Sequence, residues 1–192
     1  MEQEETLNPK ESLALIMETI SKTKENINHY SFIFLLWGWF LAMASIIRFL
    51  LTEFTQFKYA YLPFPIFSAI AIIASIVFYT RERPINAETH LSFFLKRLWI
   101  GVTLGMVLLV FACVTQRIQP STFTLILGGV ATLITGLVLN FKPLQIGAII
   151  LLISSVICCF IPDHYKYLMV GVSIIPGYLI PGYLLKNTKV RL

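Results

Sequence analysis

The sequence predicts an all-α, polytopic membrane protein with six transmembrane helices and one N-terminal cytoplasmic amphipathic helix. Of its 192 residues, 57% are hydrophobic and only 13% are charged, and the mean hydropathy is +0.77, whereas about a quarter of the residues in a soluble domain are charged. Uncharged apolar runs of about 20 residues, long enough to cross a hydrocarbon core of about 30 Å, recur along the chain. We therefore expect the excess apolar surface to face the lipid bilayer.

Residues 1–28 are predicted to form a cytoplasmic segment that contains an amphipathic helix over residues 9–28. Asn8 is a typical N-cap, Pro9 suits the first helical position, and Glu11 stands where a capping box places its carboxylate. Apolar residues then recur near the helical spacing at Leu13, Ile16, Met17, Ile20 and Ile27. Lysine and glutamate balance along this helix, so it has no basic face for anionic lipid. Two alternatives stay open: the helix packs on the protein's own cytoplasmic face or at the interface, or it binds a protein partner.

The helical bundle is predicted over residues 29–185, and charged residues or prolines bound its spans. The first span carries no charge from Tyr30 to Ile47, and Arg48 at its far end is expected to snorkel its charge into the headgroups. The longest internal connection precedes the third span, and the later connections are tight turns that contain proline. A polar tail over residues 186–192 follows the bundle. The predicted spans are residues 30–51, 62–80, 98–115, 122–141, 144–161 and 165–185.

Six spans place both termini on the same side of the membrane, and the positively charged residues decide which side that is. Eleven of the 15 Lys and Arg residues lie on the side of the termini, and four lie on the other side. Since positive residues stay in the cytoplasm, both termini are predicted to be cytoplasmic, in the inner (cytoplasmic) membrane of the cell. The net charge of +5 then reflects topology, and no nucleic-acid partner is expected. The four residues of the opposite side are Arg48, Lys58, Arg117 and Lys166.

The sequence contains no motif for a catalytic or metal site. It has no HExxH zinc pair, no GxSxG elbow and no pair of intramembrane aspartates. Its three histidines and three cysteines lack the spacing of metal ligands. We therefore expect no cofactor, no metal, no catalytic residue and no enzymatic activity. None of the ten acidic residues falls within a predicted span, which argues against an ion-coupled carrier but not against a facilitator.

Glycines mark the predicted contact lines between helices, because small residues let helices approach each other closely in lipid. Gly101 and Gly105 form such a face on the third span, and Gly128 and Gly136 form another on the fourth. These faces either pack within one bundle or form a homo-oligomer, and both alternatives stay open.

A short motif also recurs in the three spans that are predicted to run outward. Each reads Leu-x-(Trp/Ile)-Gly near its cytoplasmic half, ending at Gly38, Gly101 and Gly147. Recurrence of this kind is expected for three helical hairpins of common origin, arranged as parallel repeats.

The least ordinary stretch is the sixth span, in which Pro-Gly-Tyr-Leu occurs twice, five residues apart, from Pro176 and from Pro181. Each proline removes a backbone donor and clashes with the carbonyl four residues earlier, so the pair predicts a kinked or broken helix. Broken membrane helices expose backbone groups that hold substrates, which predicts a candidate ligand pocket in the cytoplasmic half of this span. The alternative is a kinked helix whose glycines pack against span three or four. The predicted pocket residues are Asn140, Gln145, Pro176, Gly177, Tyr178, Pro181, Gly182 and Tyr183.

Both ends of the chain resemble one group of proteins. The stretch NPKESLALI, the segment Phe-Leu-Leu-Trp-Gly-Trp from Phe34 to Trp39, and the stretch Ile-Pro-Gly-Tyr-Leu-Leu that ends at Leu185 are similar to those of small six-span bacterial integral membrane proteins. The resemblance implies the six-span architecture and carries no site residues over to this chain. We expect a non-enzymatic binding or regulatory membrane protein that contacts the lipid bilayer. The alternative is a facilitator of a small uncharged or lipid-like solute.

Overall fold

The computed structural model describes residues 31–55, 59–81 and 90–187. The predicted helix over residues 9–28 and most of the predicted polar tail lie outside the described residues. Within the described ranges the chain folds into helices and the turns between them, without any strand. The predicted all-α fold is therefore confirmed.

The described part of the chain forms six helices, and two of them, α1 and α6, contain a π-helical turn. In chain order the helices are α1 (Ser31–Thr55), α2 (Pro63–Arg81), α3 (His90–Thr115), α4 (Ser121–Val138), α5 (Lys142–Ile157) and α6 (Asp163–Asn187). The helices alternate in direction: α2 lies antiparallel on α1, as the pairs Trp37–Ser75 and Phe40–Phe67 show, and the start of α3 lies beside the start of α1 at Phe34 and Trp99. As a result, α1, α3 and α5 end where α2, α4 and α6 begin.

Four of the helices, α1, α3, α4 and α6, are long and apolar enough to cross a membrane, and the apolar stretches of α2 (Pro63–Phe78) and α5 (Lys142–Ile157) are shorter. The outward faces are also apolar. On α3, Ile100, Leu104 and Phe111 are 61–68% exposed, whereas a helix at the surface of a soluble domain carries polar residues on its outer face. The chain is therefore a polytopic membrane protein, and these faces are suited to lipid.

Helix α3 begins at His90, ahead of the start at residue 98 that the sequence predicted. That prediction assigned Lys96 and Arg97 to a loop, because charge interrupts the apolar run there. In the structure both residues lie on the helix, and the Arg97 guanidinium covers the ring of Phe93, four residues earlier, at 3.9 Å. Helical spacing places the cation over an aromatic face, so the helix extends beyond the apolar run.

Helix α6 is the centre of the bundle. Within the most apolar 18 residues of each long helix, the fraction that is buried is 56% in α6, 44% in α4, 28% in α1 and 6% in α3. Helices α1 and α5 pack on α6 through glycines: Gly171 of α6 faces Ser45 of α1, and Gly147 of α5 faces the backbone of α6 at Pro176. Since small residues permit close helix contacts in lipid, these positions draw α1 and α5 onto α6 and leave α3 at the periphery.

Aromatic residues of α1 hold the neighbouring helices α2 and α3. The indole Nε1 of Trp37 donates a hydrogen bond to Oγ of Ser75 on α2 at 3.2 Å. On α3, the ring of Trp99 meets the ring of Phe34 edge-on, with 5.5 Å between the ring centroids. Edge-to-face pairs stabilise a contact beyond the area that they bury, so these contacts hold α2 and α3 against α1.

The turns after α3 and α4 each end a helix with a residue of positive φ. Arg117 (φ 56°) follows α3, and Asn140 (φ 49°) follows α4. After α4, the N–H of Asn140 bonds to the Leu137 carbonyl at 3.1 Å, and the N–H of Phe141 bonds to the Gly136 carbonyl at 2.9 Å. This pairing defines a Schellman motif, which closes α4 and turns the chain directly into α5.

Candidate functional site

The predicted interruption of the sixth span is present in α6, where it takes the form of a π-helical turn, Ile175–Leu179. The N–H of Ile180 bonds to the carbonyl of Ile175, five residues earlier. Pro176 and Pro181 have no N–H to donate, and each proline ring displaces the carbonyl four residues earlier. Widening one turn accommodates both prolines, and the helix continues without a break. Single π turns of this kind are frequent at functional sites.

Two glycines of the recurring Leu-x-(Trp/Ile)-Gly motif contact this π turn from α1 and α5. A Cβ atom on Gly147 would lie 2.7 Å from the carbonyl oxygen of Pro176 and 3.0 Å from that of Gly177. A Cβ atom on Gly38 would lie 2.8 Å from Cδ2 of Leu179. These distances are well inside the van der Waals optimum of about 3.5–4.0 Å. Gly147 therefore requires glycine, because it faces backbone, whereas at Gly38 the end of the Leu179 side chain would have to shift. The Gly177 carbonyl, which loses its helical donor at Pro181, therefore lies against the backbone of α5.

Leucine side chains fill the space beside the two glycines of α6. A Cβ atom on Gly177 would lie 2.6 Å from Cδ2 of Leu151 on α5, and one on Gly182 would lie 3.0 Å from Cδ2 of Leu35 on α1. Leu151 itself is 1% exposed. From the sequence we expected room for another group beside these glycines, whereas side chains of α1 and α5 occupy that room. The glycines thus pack against spans one and five, and not against three or four.

Tyr178 is the buried polar side chain of the π turn. It is 7% exposed, and its hydroxyl lies 3.2 Å from Oγ1 of Thr132 on α4. Thr132 donates its proton to the Gly128 carbonyl at 2.7 Å, so the Tyr178 hydroxyl acts as the donor toward Thr132. This hydrogen bond between α4 and α6 satisfies the buried phenol, as buried polar groups require.

The remaining polar residues of the predicted pocket lie apart from that buried hydroxyl. Nε2 of Gln145 donates a hydrogen bond to the Gly136 carbonyl at 3.0 Å, between α5 and α4. Tyr183 is 45% exposed, and its hydroxyl accepts a hydrogen bond from Nε1 of Trp39 at 3.2 Å. Asn140 is exposed in the turn after α4. The structure therefore brings together the residues of the π turn but not the whole set, and binding of a ligand by this set stays a prediction.

The glycine faces of α3 and α4 differ in how closely other helices of the bundle pack against them. Cβ atoms on Gly128 and Gly136 would lie 3.1 Å and 2.9 Å from atoms of α6 and α5, so the face of α4 packs within the bundle. A Cβ atom on Gly105 would make an ordinary contact with Leu127 of α4 at 3.5 Å, and one on Gly101 would meet no described atom within 4 Å. Of these two faces, only that of α3 has a glycine with free space beside it, namely Gly101.

The positive φ of Asn140 predicts different effects for two substitutions at this position. Asn140→Ala should lower the free energy of unfolding by about 1 kcal/mol, because a Cβ disfavours the left-handed region, whereas Asn140→Gly should leave it unchanged or raise it. Thermal unfolding of the detergent-solubilised protein, followed by helical circular dichroism, would measure both. Equal destabilisation by the two variants would show that the side-chain amide of Asn140 stabilises the turn, and that the backbone conformation does not decide the difference.

A second polar cluster lies at the other end of the bundle, where α2, α4 and α6 begin. The guanidinium carbon of Arg48 on α1 stands 3.8 Å from the centroid of the Tyr167 ring on α6 and 5.8 Å from that of the Phe64 ring on α2. Tyr167 is 4% exposed and donates a hydrogen bond to Oε1 of Gln119. Snorkelling of Arg48 into the headgroups stays a prediction; in the structure its guanidinium lies against aromatic rings of neighbouring helices.

This cluster contains buried polar atoms whose hydrogen bonds are weak. Nε of Arg48 and Oγ of Ser121, the first residue of α4, are buried and meet no partner in close hydrogen-bond geometry. Both side chains nevertheless have a hydrogen-bonding neighbour in the Tyr167 hydroxyl, whose own proton goes to Gln119. Arg48 also forms no ion pair with a carboxylate of the described residues. Our reasoning from sequence missed the cluster, because the residues around Arg48 come from other helices; an arginine inside the first membrane helix is the signal that could have pointed to it.

The fold defines the class of this chain as an all-α polytopic membrane protein. The chain matches no model of a known protein family, no curated protein and no solved structure. Its two polar clusters and its packing are therefore the basis for the function proposed below.

Proposed function

We propose that this chain is a non-enzymatic integral membrane protein that acts by binding a lipid or a protein partner within the membrane, in a regulatory role. The observation that carries the proposal is the close packing around α6. Gly38, Gly147 and Gly177 hold neighbouring helices so closely that an added Cβ atom would lie 2.6–2.8 Å from another atom. The buried hydroxyls of Thr132 and Tyr178 are hydrogen-bonded to each other, so the centre of the bundle satisfies its own polar groups.

Close packing at the centre favours binding at the periphery over passage through the bundle. Packed interiors have low compressibility, so a solute path between α5 and α6 would require the contact at Gly147 to separate. The periphery, by contrast, presents large apolar side chains, and the most apolar stretch of α3 is only 6% buried. That surface suits a lipid or another membrane helix.

A facilitator of a small uncharged or lipid-like solute is the second candidate, and the π turn of α6 favours it. Transporters place substrate sites at interrupted helices near the middle of the membrane. Ile175–Leu179 is such an interruption, with Pro176 and Pro181 changing the hydrogen bonding of the helix on either side. Transport would then require α1 or α5 to move away from this turn.

Purification of the full chain in a mild detergent, followed by mass spectrometry of retained lipids and proteins, tests the first proposal against the second. We expect a lipid or a protein to remain bound at a fixed ratio to the chain. Vesicles that contain the purified protein should then take up glycerol no faster than empty vesicles. Faster glycerol uptake together with no retained molecule would contradict the binding function and support the facilitator.

We further propose that the protein resides in the inner membrane of a bacterial cell with both termini in the cytoplasm. The support is the distribution of Lys and Arg, eleven against four, under the positive-inside rule. A reporter that is active only outside the cytoplasm should be inactive when it is fused after Leu192 and active when it is inserted at Pro162. The reverse pattern would contradict the orientation, and activity at both positions would contradict the number of spans.

Two further contact surfaces are proposed, one for a different protein and one for a second copy of this chain. The segment over residues 9–28 is proposed as a protein-binding helix, because its apolar positions recur at helical spacing. A homo-oligomer through the face of Gly101 and Gly105 is proposed because Gly101 is open, and open small residues permit a second helix to approach. The molar mass of the protein in detergent, measured with and without Gly101→Leu, separates the second contact from the first.

A further inference from the structure

We propose that one ester-linked, anionic phospholipid binds along the contact line of α1 and α6, with its ester group at Tyr183 and its phosphate at Lys186. The inference rests on the lipid-binding form of the proposed function, and it names the place and the chemistry of that lipid. We call the exposed side chains on this flank of the contact line the α1–α6 surface. Its members are each 41–53% exposed, and they are Trp39, Met43 and Ile46 of α1 and Val172, Ile175 and Tyr183 of α6.

The members of the α1–α6 surface share one flank because of their helical spacing. On α1, Trp39, Met43 and Ile46 follow each other at four and three residues, which places them on one face. On α6, Ile175 and Tyr183 are eight residues apart, and the π turn that begins at Ile175 takes up one extra residue. Their separation is therefore equivalent to about two turns of an α-helix, and Tyr183 returns to the face of Ile175.

Two contacts between α1 and α6 fix the ends of this surface. At one end, Nε1 of Trp39 donates a hydrogen bond to the Tyr183 hydroxyl at 3.2 Å. At the other end, a Cβ atom on Gly171, the residue before Val172, would lie 3.4 Å from Cγ1 of Ile46. The side chains between these contacts are apolar, so they present a continuous surface on which an acyl chain can lie.

The Tyr183 hydroxyl is accessible, and its proton has no acceptor among the described residues. Its oxygen accepts the hydrogen bond from Trp39, and the structure shows no group to which it donates. A polar group without a partner is costly in hydrocarbon, where water is absent. Tyr183 lies four residues before Asn187, the last residue of α6, or about 6 Å of helix rise. It therefore lies near the membrane interface, where phospholipids carry their ester carbonyl groups.

The charge at this end of the bundle favours an anionic headgroup. Lys186 is exposed and follows Tyr183 by three residues, so it lies on the same side of α6 and nearer the end of the helix. Both carboxylates of the described residues, Glu53 and Asp163, lie at the opposite end of the bundle. Since a lysine near the membrane surface attracts anionic lipid, a lipid phosphate at this level is the expected partner of Lys186.

The order of these groups matches the order of the groups in a phospholipid. From the Asn187 end inward, the protein presents a cation, a phenol that can donate a proton, and then apolar side chains. A phospholipid presents a phosphate, an ester carbonyl and an acyl chain in the same order. A helix of another protein uses its backbone carbonyls in its own hydrogen bonds, so it would leave the proton of Tyr183 without an acceptor.

The test uses the full chain, purified in detergent and freed of lipid, in a competition between two phosphatidylglycerols of equal chain length. The chains of one lipid are joined by ester bonds, and those of the other by ether bonds, which lack the carbonyl oxygen. Native mass spectrometry separates the two complexes by mass and gives the ratio of their affinities. We expect one saturable site and a preference for the ester lipid of about two- to tenfold, the contribution of one hydrogen bond.

The variants assign the binding to the named residues. Tyr183→Phe should abolish the preference for the ester lipid and leave binding of the ether lipid unchanged, because it removes only the hydroxyl. Lys186→Gln should weaken binding of both lipids about fivefold.

Matched controls exist for both substitutions. Tyr165→Phe alters an exposed tyrosine at the opposite end of the bundle, and Lys142→Gln alters an exposed lysine at the same end, where α5 begins. Each control should leave the ester preference and the affinity within twofold of the parent. Helical circular dichroism checks that every variant is folded, and the ester preference of the parent chain needs no variant at all.

The outcomes separate failure of this site from failure of lipid binding in general. Saturable binding with no ester preference, or with a preference that Tyr183→Phe retains, overturns the site but leaves the proposed lipid-binding function standing. Equal weakening by Lys186→Gln and Lys142→Gln overturns the assignment of the phosphate to Lys186. Absence of saturable phospholipid binding overturns the site together with the lipid form of the proposed function, and a second copy retained on the chain would then assign the α1–α6 surface to a protein contact.

Discussion

Gly147→Ala is expected to destabilise the bundle more than any other single methyl group added on α5. The new Cβ atom would lie 2.7 Å from the carbonyl oxygen of Pro176. That oxygen belongs to the backbone of α6, so it cannot move aside as the end of a side chain would. Overpacking of a close contact typically lowers the free energy of unfolding by about 1–3 kcal/mol. The melting temperature in mild detergent, followed by helical circular dichroism, should fall accordingly.

Gly101→Ala is the matched control for this substitution, because Gly101 ends the same Leu-x-(Trp/Ile)-Gly motif on α3. A Cβ atom there would meet no described atom within 4 Å. Alanine is favoured over glycine within a helix by about 1 kcal/mol, so this variant should be as stable as the parent or slightly more stable. Equal destabilisation by Gly101→Ala and Gly147→Ala would contradict the packing of α5 on α6 that the structure shows.

The sequence predicted the helices well because hydropathy over about 20 residues is a property of each segment alone. Even so, it could not predict which helix is central. The first span is as apolar as the others, yet the buried share of its most apolar stretch is half that of α6, 28% against 56%. Burial depends on contacts with other helices, and in lipid both buried and exposed faces are apolar. The start of α3 at His90 was missed for a related reason, because charged residues end an apolar run without ending a helix.

The candidate site of α6 was predicted in part, because proline chemistry is local. Pro176 and Pro181 predict an interruption wherever the helix packs, and the π turn follows from their five-residue spacing. What occupies the space beside Gly177 was not predictable, since Leu151 lies on a different helix and its position depends on how α5 approaches. The local chemistry gave the shape of the turn, and the tertiary contact decided whether the turn opens onto a pocket.

The cluster around Arg48 also depends on contacts that the sequence does not reveal. In the sequence Arg48 does not stand out, since one arginine near the end of an apolar run is expected to snorkel. Only the alternation of helix direction brings Arg48 to the same end of the bundle as Ser121 and Tyr167. The surroundings of an arginine in a membrane span therefore depend on which helices begin at the same depth in the bundle, and not on its neighbours in the chain.

Gly177→Ala is expected to be strongly destabilising, and a second substitution on α5 should restore much of the loss. The added Cβ atom would lie 2.6 Å from Cδ2 of Leu151 and 2.6 Å from its Cγ, a contact that no rotation of the leucine end fully removes. Overpacking of this kind costs about 1–3 kcal/mol. Leu151→Ala alone should also destabilise, by about 2–5 kcal/mol, because it leaves a cavity at a residue that is 1% exposed.

The double variant Gly177→Ala, Leu151→Ala distinguishes a filled contact from a ligand pocket. If Leu151 fills the space beside Gly177, removing its side chain makes room for the new methyl group, so the double variant should be more stable than the sum of the two single losses predicts. Residues in direct contact show interaction energies of about 0.5–3 kcal/mol in such cycles. Additive losses, together with loss of a retained small molecule in Gly177→Ala, would instead mean that Gly177 faces a ligand and that Leu151 is not its partner.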